Sequence, residues 1–439
     1  MIKKNPYVHT MYNSLGEYVI LNSYDNRVLK ASKEQSKLYE TAFETQEAEE
    51  QIMKQLLDNN ILYDDAETEI DSCDKLYEDF LNKYKDLHLV ILPTDNCNFR
   101  CTYCYEIHEK RVILPEVQEG IVNFVKDNIQ NYNALRVEWF GGEPLCQKGI
   151  INDLTRQLRS ICSEHKKPYY SSMTTNGYLL DYETFKIMHK KNHVMRYQIT
   201  LDGTAESHNI QRGLADGKPS FDTIVKNLKD IRDNCKSPIV SIAIRCNITG
   251  EVLKHFDEYV KFLIDEFGED PRFELIWKIA WDVGSGVCKD FCEQKSLHTI
   301  LGEQKEKGLR FGTNMRQFFR YGNICYASNR NSFVIGTDGT IYKCTIAFDA
   351  PVNHVGKLHQ NGEMELDMDK YNYWTHRKAN IDHELCDKCD IYPSCMGIYC
   401  NLNNVTPEGE FVCIGSKGYV DDFLEHISRV DNYVLKLEV

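Results

Sequence analysis

From Leu87 onward, short runs of apolar and β-branched residues alternate with longer segments whose apolar positions recur at helical spacing. LHLVILPT, ALRVEWFGG, YYSSMTTNG, RYQITLDG, IVSIAIRCNIT and RFELIWKIAW are six strand candidates. Between them, segments such as EVQEGIVNFVKDNIQ and FDTIVKNLKDIRDN read as amphipathic helices. This alternation predicts a parallel α/β sheet, curled or open. In such folds the chemistry gathers in loops at the C-terminal ends of the strands. CNFRCTYC, GGEP, TTNG and TLDG all fall there.

The pattern differs at both ends. GEYVILNSYDNRVLKAS offers two apolar runs around Tyr24-Asp25-Asn26 and reads as a β-hairpin. SKEQSKLYETAF and AEEQIMKQLLDNNIL follow with helical periodicity, which predicts a small winged-helix-like module. The acidic stretch DDAETEIDSCD, residues 64–74, has few large apolar residues and reads as a linker. After about residue 300 the alternation fades into turn-rich stretches such as GTDGT, with few long helices until GYVDDFLEHISRV. The expected division is therefore 1–85, 86–310 and 311–439. Repeats and low-complexity tracts are not evident.

Composition narrows the function. With 439 residues, 42% of them hydrophobic, the chain can bury more than one core. Its 52 Lys+Arg against 66 Asp+Glu give a formal charge of -14, which argues against nucleic acid as a partner. The start, MIKKNPYVHTMYNSLGEYVILNS, has no apolar run of signal length, and no segment approaches a membrane span. A cytoplasmic address is expected. Disulfides are rare there, so seventeen cysteines, an odd number, point to metal binding or redox chemistry.

Cys97, Cys101 and Cys104 are spaced i, i+4, i+7, which is also one face of a helix with three small core residues. The segment, however, follows a strand ending in Pro93 and is interrupted by Asp95, Asn96 and Asn98, a loop composition. Structural zinc takes four protein ligands, and only His108 follows at a suitable distance. A cubane iron–sulfur cluster is normally tied by four thiolates. Three would leave one iron open to a small molecule.

CNFRCTYC, with Tyr103 before its last cysteine, resembles the CxxxCxxC motif of radical S-adenosylmethionine (SAM) enzymes. The resemblance implies a partial (β/α)6 TIM-like barrel and a [4Fe-4S] cluster whose open iron binds SAM. Reductive cleavage of SAM then yields a 5′-deoxyadenosyl radical, the cofactor supplying the hard chemistry. By the same likeness GGEP meets the SAM amino group. There Gly141 and Gly142 allow close backbone approach and Glu143 provides negative charge. Thr200 in ITLDG matches a ribose-contacting hydroxyl, and Asn176 in TTNG ends the preceding strand. Arg212 in SHNIQRG can pair with the SAM carboxylate, or is an ordinary surface arginine. His208 is either a surface-loop residue or part of the site.

The C-terminal cysteines run Cys325, Cys344, Cys386, Cys389, Cys395, Cys400 and Cys413. A treble-clef zinc site would explain four of them. Their order resembles the SPASM extension of radical SAM peptide-modifying enzymes, which implies two auxiliary [4Fe-4S] clusters and three clusters in all. Cys386, Cys389, Cys395 and Cys413 would hold the second auxiliary cluster, and Cys325, Cys344 and Cys400 the first. Two departures stand out. Four residues separate Cys395 from Cys400 where the family commonly has three. The first auxiliary cluster also lacks a fourth ligand unless Cys288 or Cys292 completes it or the iron stays open.

The N-terminal module resembles the leader-recognition element of peptide maturases, which bind a peptide as an added strand. A small structural cap is the alternative. The implied function is cross-linking, C–C or thioether, within a ribosomally synthesised precursor peptide. A low-potential donor such as flavodoxin or ferredoxin would supply electrons. The rival enzyme is an anaerobic sulfatase maturase making formylglycine. That family tends to carry an acidic residue after the cysteine matching Cys344, where this chain has Thr345. A zinc-bound scaffold is the rival from another class. Asp202, Glu138, Asp349 and several tyrosines are candidate general bases, none singled out by spacing.

Overall fold

The computed structural model describes residues 1–25, 27–106, 108–280, 325–376, 383–395, 419–430 and 434–437. The N-terminal region carries β1 (Ile2–Lys4), β2 (Val8–Tyr12), β3 (Tyr18–Asn22), β4 (Arg27–Ala31) and β5 (Leu62–Asp64). β2, β3 and β4 form an antiparallel meander, and β1 pairs with β5. The predicted hairpin is thus present as β3 and β4, with two strands before it, β1 and β2, that the pattern did not reveal. Helices Ser36–Thr45 and Glu50–Asp58 lie on one face of this sheet. Their Tyr39, Ala42, Phe43, Ile52 and Leu56 pack against Ile20 and Leu29. The expected linker is shorter than residues 64–74. Asp64 ends β5, and a helix begins at Cys73, where the Ser72 side chain caps it by accepting the Lys75 N–H at 3.3 Å.

The six predicted strands are β6 (Leu87–Ile91), β7 (Leu135–Trp139), β8 (Tyr169–Thr175), β9 (Val194–Thr200), β10 (Ser241–Ile248) and β11 (Phe273–Ile279). All six run parallel in sequential order. Helices connect them for legible reasons. Pro115 opens the helix Pro115–Asn128 at a position where its missing N–H costs nothing. The Asp181 carboxylate caps Tyr182–Lys190 through the Thr184 N–H at 2.7 Å. Trp139, Tyr197 and Trp277 are fully buried in the resulting core.

The C-terminal region does not stand apart from this sheet. β12 (Ser332–Ile335) adds a seventh parallel strand beside β6, with Ser332 opposite His88 and Ile335 opposite Ile91. β13 (Thr340–Tyr342), β14 (His354–Leu358) and β15 (Met364–Leu366) extend it as an antiparallel meander. β12 is four residues long and buried throughout, as a strand covered on both faces is. So short a run leaves little periodicity to read. The sheet of ten strands is open among the described residues, with β11 and β15 at its ends.

The last described strand, β16 (Val434–Leu437), pairs in parallel with β4 at an edge of the N-terminal sheet. The preceding helix Tyr419–Val430 covers the other face of that sheet, its Val420, Leu424 and Ile427 meeting Val19, Leu21 and Val28. Among the described residues no helix is long and apolar enough to cross a membrane.

Candidate functional site

The three-cysteine segment is a loop, as predicted, leaving β6 at the C-terminal mouth of the sheet. It is fastened on two sides. Thr94 forms a bridge with Val112, and Phe99, fully buried, forms one with Leu214. Arg100 N–H donates to Gly213 O at 3.0 Å and Thr102 N–H to Gln211 O at 2.9 Å. Cys97 is buried, and its sulfur accepts the Phe99 N–H at 3.4 Å. The Cys104 sulfur lies 3.3 Å from His108 Nε2.

Burial and the carboxylate of Glu143 push the Cys97 thiol well up, with Cys101 and Cys104 adding to the shift. Burial likewise raises Cys101 and takes Cys104 up to about 12. Three thiols in such a setting become thiolates only against a compensating positive centre, which the iron of a cluster provides.

The GGEP stretch after β7 is zipped to the turn that begins this loop. Gly142 N–H donates to Thr94 O at 3.2 Å and Glu143 N–H to Asn96 O at 3.0 Å. A Cβ on Gly142 would stand 2.5 Å from Asn96 O, and one on Gly141, at φ +111°, 2.5 Å from Thr94 O. Both positions therefore require glycine. The Glu143 carboxylate is fully buried and points into the protein. It accepts the Leu145 N–H at 3.0 Å, the Thr175 hydroxyl at 2.8 Å and the Asn176 N–H at 2.7 Å. Burial raises its pKa against these donors and Arg212. Glu143 thus clamps GGEP to TTNG, while Asn176 Nδ2 reaches Asn98 Oδ1 at 2.7 Å and Cys97 Sγ at 3.8 Å.

Arg212 is not on the surface. It is 6% exposed, donates to the Tyr103 hydroxyl at 2.6 Å and faces Asp202 at 3.7 Å. Asp202, fully buried, also accepts the Tyr103 hydroxyl and the Asn247 N–H, the latter at 2.6 Å. Burial raises the Asp202 pKa, opposed by Arg212 and these donors. His208 is fully buried and neutral, because burial and Arg212 hold its pKa well below the ordinary value. Its Nδ1 accepts the Asp202 N–H at 3.1 Å and its Nε2 donates to Ser220 Oγ at 3.1 Å, which in turn donates to Arg212 O at 2.7 Å. It is a positioning residue. Thr200 ends β9, buried, with Arg245 opposite it on β10.

Two donors here lack partners among the described residues: Asn98 Nδ2 and Arg212 Nε, both buried. Asn98 belongs to the thiol loop and Arg212 bonds its Tyr103, and an anionic ligand would satisfy both donors. Together with the buried Cys97 thiol and the partly exposed thiols of Cys101 and Cys104, this donor set fits an iron–sulfur cluster and the carboxylate of SAM. Among the described residues no three His, Cys, Asp or Glu side chains converge on a single-ion site. The thiols of a cubane bind separate irons and stand farther apart than one ion's ligands.

Sequence reasoning passed over Tyr105 and Glu106, directly after the motif. Burial, then Asp95 and Glu143, push the Glu106 carboxyl up to about 8. Burial raises the Tyr105 phenol well above its usual value, with Glu106, Cys104 and Cys344 adding to the effect. Only its adjacency to Cys104 could have marked Tyr105. Of the candidate bases, Asp202 is committed to internal partners, Glu138 accepts from Thr174 at 3.2 Å, and Asp349 is exposed.

Among the C-terminal cysteines, Cys325 begins a short turn and Cys344 follows β13. Both lie near Tyr326, whose phenol is raised by burial and then by these two thiols. Asn353 Oδ1 accepts the Lys343 and Cys344 N–H groups, each at 2.9 Å, fixing the Cys344 turn. Cys386 and Cys389 pack beside Tyr7, Cys73 and Tyr392. Cys395 closes the helical turn Tyr392–Cys395. Cys288, Cys292, Cys400 and Cys413 lie outside the described residues.

A thiol loop at the C-terminal mouth of a parallel α/β sheet, with orphaned donors around it, fits the cysteine motif of an iron–sulfur enzyme. Comparison with known proteins gives the class its name: residues 91–263 match the sequence profile of the radical SAM superfamily. A GTP 3′,8-cyclase of Peptoclostridium acidaminophilum is 30% identical over 297 residues, spanning 63% of this chain and 85% of that enzyme. A cysteine-type anaerobic sulfatase-maturating enzyme of Clostridium perfringens is 21% identical over 336 residues, 71% of this chain and 88% of the relative. The structure of Streptococcus suis SuiB bound to precursor peptide SuiA superposes with a TM-score of 0.50 at 18% identity, covering 93% of this chain and 98% of SuiB. The chain belongs to the radical SAM superfamily and is an enzyme. Membership implies SAM and a [4Fe-4S] cluster.

Proposed function

We propose that the chain is a SPASM-type radical SAM maturase that forms an intramolecular C–C or thioether cross-link in a ribosomally synthesised precursor peptide. Cys97, Cys101 and Cys104 hold the SAM-binding cluster, and Gly141, Gly142, Glu143, Asn176, Thr200 and Arg212 form the SAM cradle. Cys325, Cys344 and Cys400 serve one auxiliary cluster and Cys386, Cys389, Cys395 and Cys413 the other. Held by these residues, the cluster and SAM would supply radical chemistry able to take a hydrogen atom from an unactivated carbon. The chain's own residues hold the cradle closed: Glu143 locks two loops together, and the Tyr103–Asp202–Arg212 group fixes the wall opposite. A flavodoxin- or ferredoxin-type donor in the cytoplasm provides the electron.

Residues 1–85 act as the peptide-recognition module, 86–310 as the catalytic core and 311–439 as the auxiliary-cluster region. The observation that carries this reading is the way the N-terminal sheet is joined to the cysteine-bearing region. His9 pairs with Asp390 and Asp421, each at 2.8 Å, and Ser23 Oγ donates to Asp390 O at 2.6 Å. A strand-edged platform is thereby fastened beside Cys389, where an extended peptide can be held by main-chain hydrogen bonds.

The likeness to a sulfatase-maturating enzyme favours a second reading, oxidation of a cysteine or serine to formylglycine. Against it, position 345 carries a buried threonine bonded to Tyr326 at 2.7 Å, where that family tends to place a carboxylate. The test is anaerobic turnover of the peptide encoded beside the gene, read by tandem mass spectrometry. A product lacking two hydrogens, with no fragmentation between the linked residues, supports cross-linking. An aldehyde trapped by a hydrazide replaces it with formylglycine formation.

A further inference from the structure

The N-terminal strands leave two edges, β2 and β4, and the β4 edge is filled by β16 of the same chain. Val434, Leu435, Lys436 and Leu437 stand opposite Val28, Leu29, Lys30 and Ala31 in parallel register. The two leucines differ in exposure: Leu435 is 50% exposed, whereas Leu437 is 2% exposed. Leu437 enters the cluster formed by Tyr18, Leu29, Ala31, Tyr39 and Phe43, between the sheet and its helices. This edge therefore accepts an extended segment through backbone hydrogen bonds and offers one apolar pocket. Both are the terms on which a peptide is recognised by strand addition.

The resident strand is weakly held. It is four residues long and its pairing is parallel, the less stable arrangement per residue. Leu437 is the one side chain of β16 described as buried. The helix before it is anchored independently of it. Val420, Leu424 and Ile427 pack on the opposite sheet face, Lys30 Nζ donates to Ser428 O at 2.7 Å, and Ser14 N–H donates to Glu425 at 2.7 Å. Three residues separate the helix from β16 in sequence, so a β16 that leaves the edge while the helix stays remains at high effective concentration beside it. Short edge elements with few buried apolar contacts are the first to open.

We propose that β16 is a displaceable self-strand guarding the β4 edge, and that an extended segment of the substrate peptide docks there by replacing it. The incoming segment places an apolar side chain in the Leu437 pocket. This rests on the reading of the enzyme as a peptide maturase. It sets a threshold: a peptide engages only when its pairing with β4 outweighs that of the tethered strand.

The test uses a fluorescently labelled synthetic peptide, DNYVLKLEV, corresponding to residues 431–439. Its binding is measured to the intact chain, to the full-length Leu437→Asp variant, and to a chain ending at Val430. Both altered proteins are expected to bind it at least about tenfold more tightly than the intact chain, which faces its own tethered competitor. A peptide carrying aspartate in place of its second leucine is expected not to bind. Failure of folded variants to bind, or equal binding by the intact chain, overturns the proposal. Hydrogen exchange on the intact chain is an independent check: β16 amides are expected to exchange well before those of β3, and equal protection overturns the proposal. Neither measurement involves turnover, so an enzyme that modifies no peptide refutes the maturase reading, and with it the substrate as occupant, while displacement of β16 is judged by the binding and exchange results alone.

Discussion

At the mouth of the main sheet, Glu143 and Asp202 are fully buried; Glu143 accepts hydrogen bonds from its own turn and from Thr175 and Asn176, and Asp202 from Tyr103 and Asn247 on two other segments. At the joint between the N-terminal sheet and the C-terminal region, Asp390 and Asp421 lie 41% and 55% exposed and share one imidazole, that of His9. Both arrangements fasten distant segments through carboxylates, but in different media. In the first, low dielectric makes every bond strong and every broken bond costly, which suits a cradle whose geometry must not drift. In the second, solvent screens the pairs, and the joint responds to pH.

The contrast breaks most severely at Asp202. Asp202→Ala strands the Arg212 guanidinium and the Tyr103 hydroxyl in the interior, and breaking a buried pair costs about 3–5 kcal/mol. Chemical denaturation should register a loss of that size, together with loss of SAM cleavage. A variant as stable as the parent would show that the group bears no load. Gly142→Ala comes next. Its Cβ would meet backbone rather than a flexible side chain, at 2.5 Å from Asn96 O, and forced overpacking costs about 1–3 kcal/mol. Iron bound by the variant should fall with its melting temperature. Unchanged iron content would mean that GGEP and the cysteine turn need not touch.

The smallest effect belongs to the joint. Burial alone would lower the pKa of His9, but Asp390 and Asp421 outweigh it and raise it from 6.5 to about 9. A folded pKa above the unfolded one contributes stability that is complete below pH 6.5 and is lost as the pH rises through about 9. The N-terminal sheet should therefore loosen on its partner between those values, visible as faster amide exchange in β2 and β16. His9→Gln should cost at most about 1 kcal/mol at about pH 6 and abolish that pH dependence. If the dependence survives, another group controls the joint.

The same contrast explains what the sequence discloses. The six strands from Leu87 to Ile279 are long enough for periodicity to reveal them, and the loops after them carry uncommon residues at fixed spacing. CNFRCTYC, GGEP and TTNG are therefore legible from residue order alone. What periodicity misses is structure completed from far away. β12 and β16 are four residues each, and each is a strand only because β6 or β4, hundreds of positions earlier, lies beside it. The burial of Arg212 and His208 was hidden for a similar reason. Their polar side chains suggest a surface, and only the packing of Asp202, Tyr103 and Ser220 around them makes an interior position tolerable.

The central claim is that the loop bearing Cys97, Cys101 and Cys104 is where this enzyme performs its chemistry. The direct test is to reconstitute the intact protein and the triple variant Cys97→Ala, Cys101→Ala, Cys104→Ala under anaerobic conditions. Iron and acid-labile sulfide per chain are then measured alongside reductive cleavage of SAM to 5′-deoxyadenosine. The account predicts that the variant loses the iron and sulfide of one cluster together with all cleavage. A variant that still cleaves SAM, or an intact protein that holds zinc and no sulfide, would contradict it.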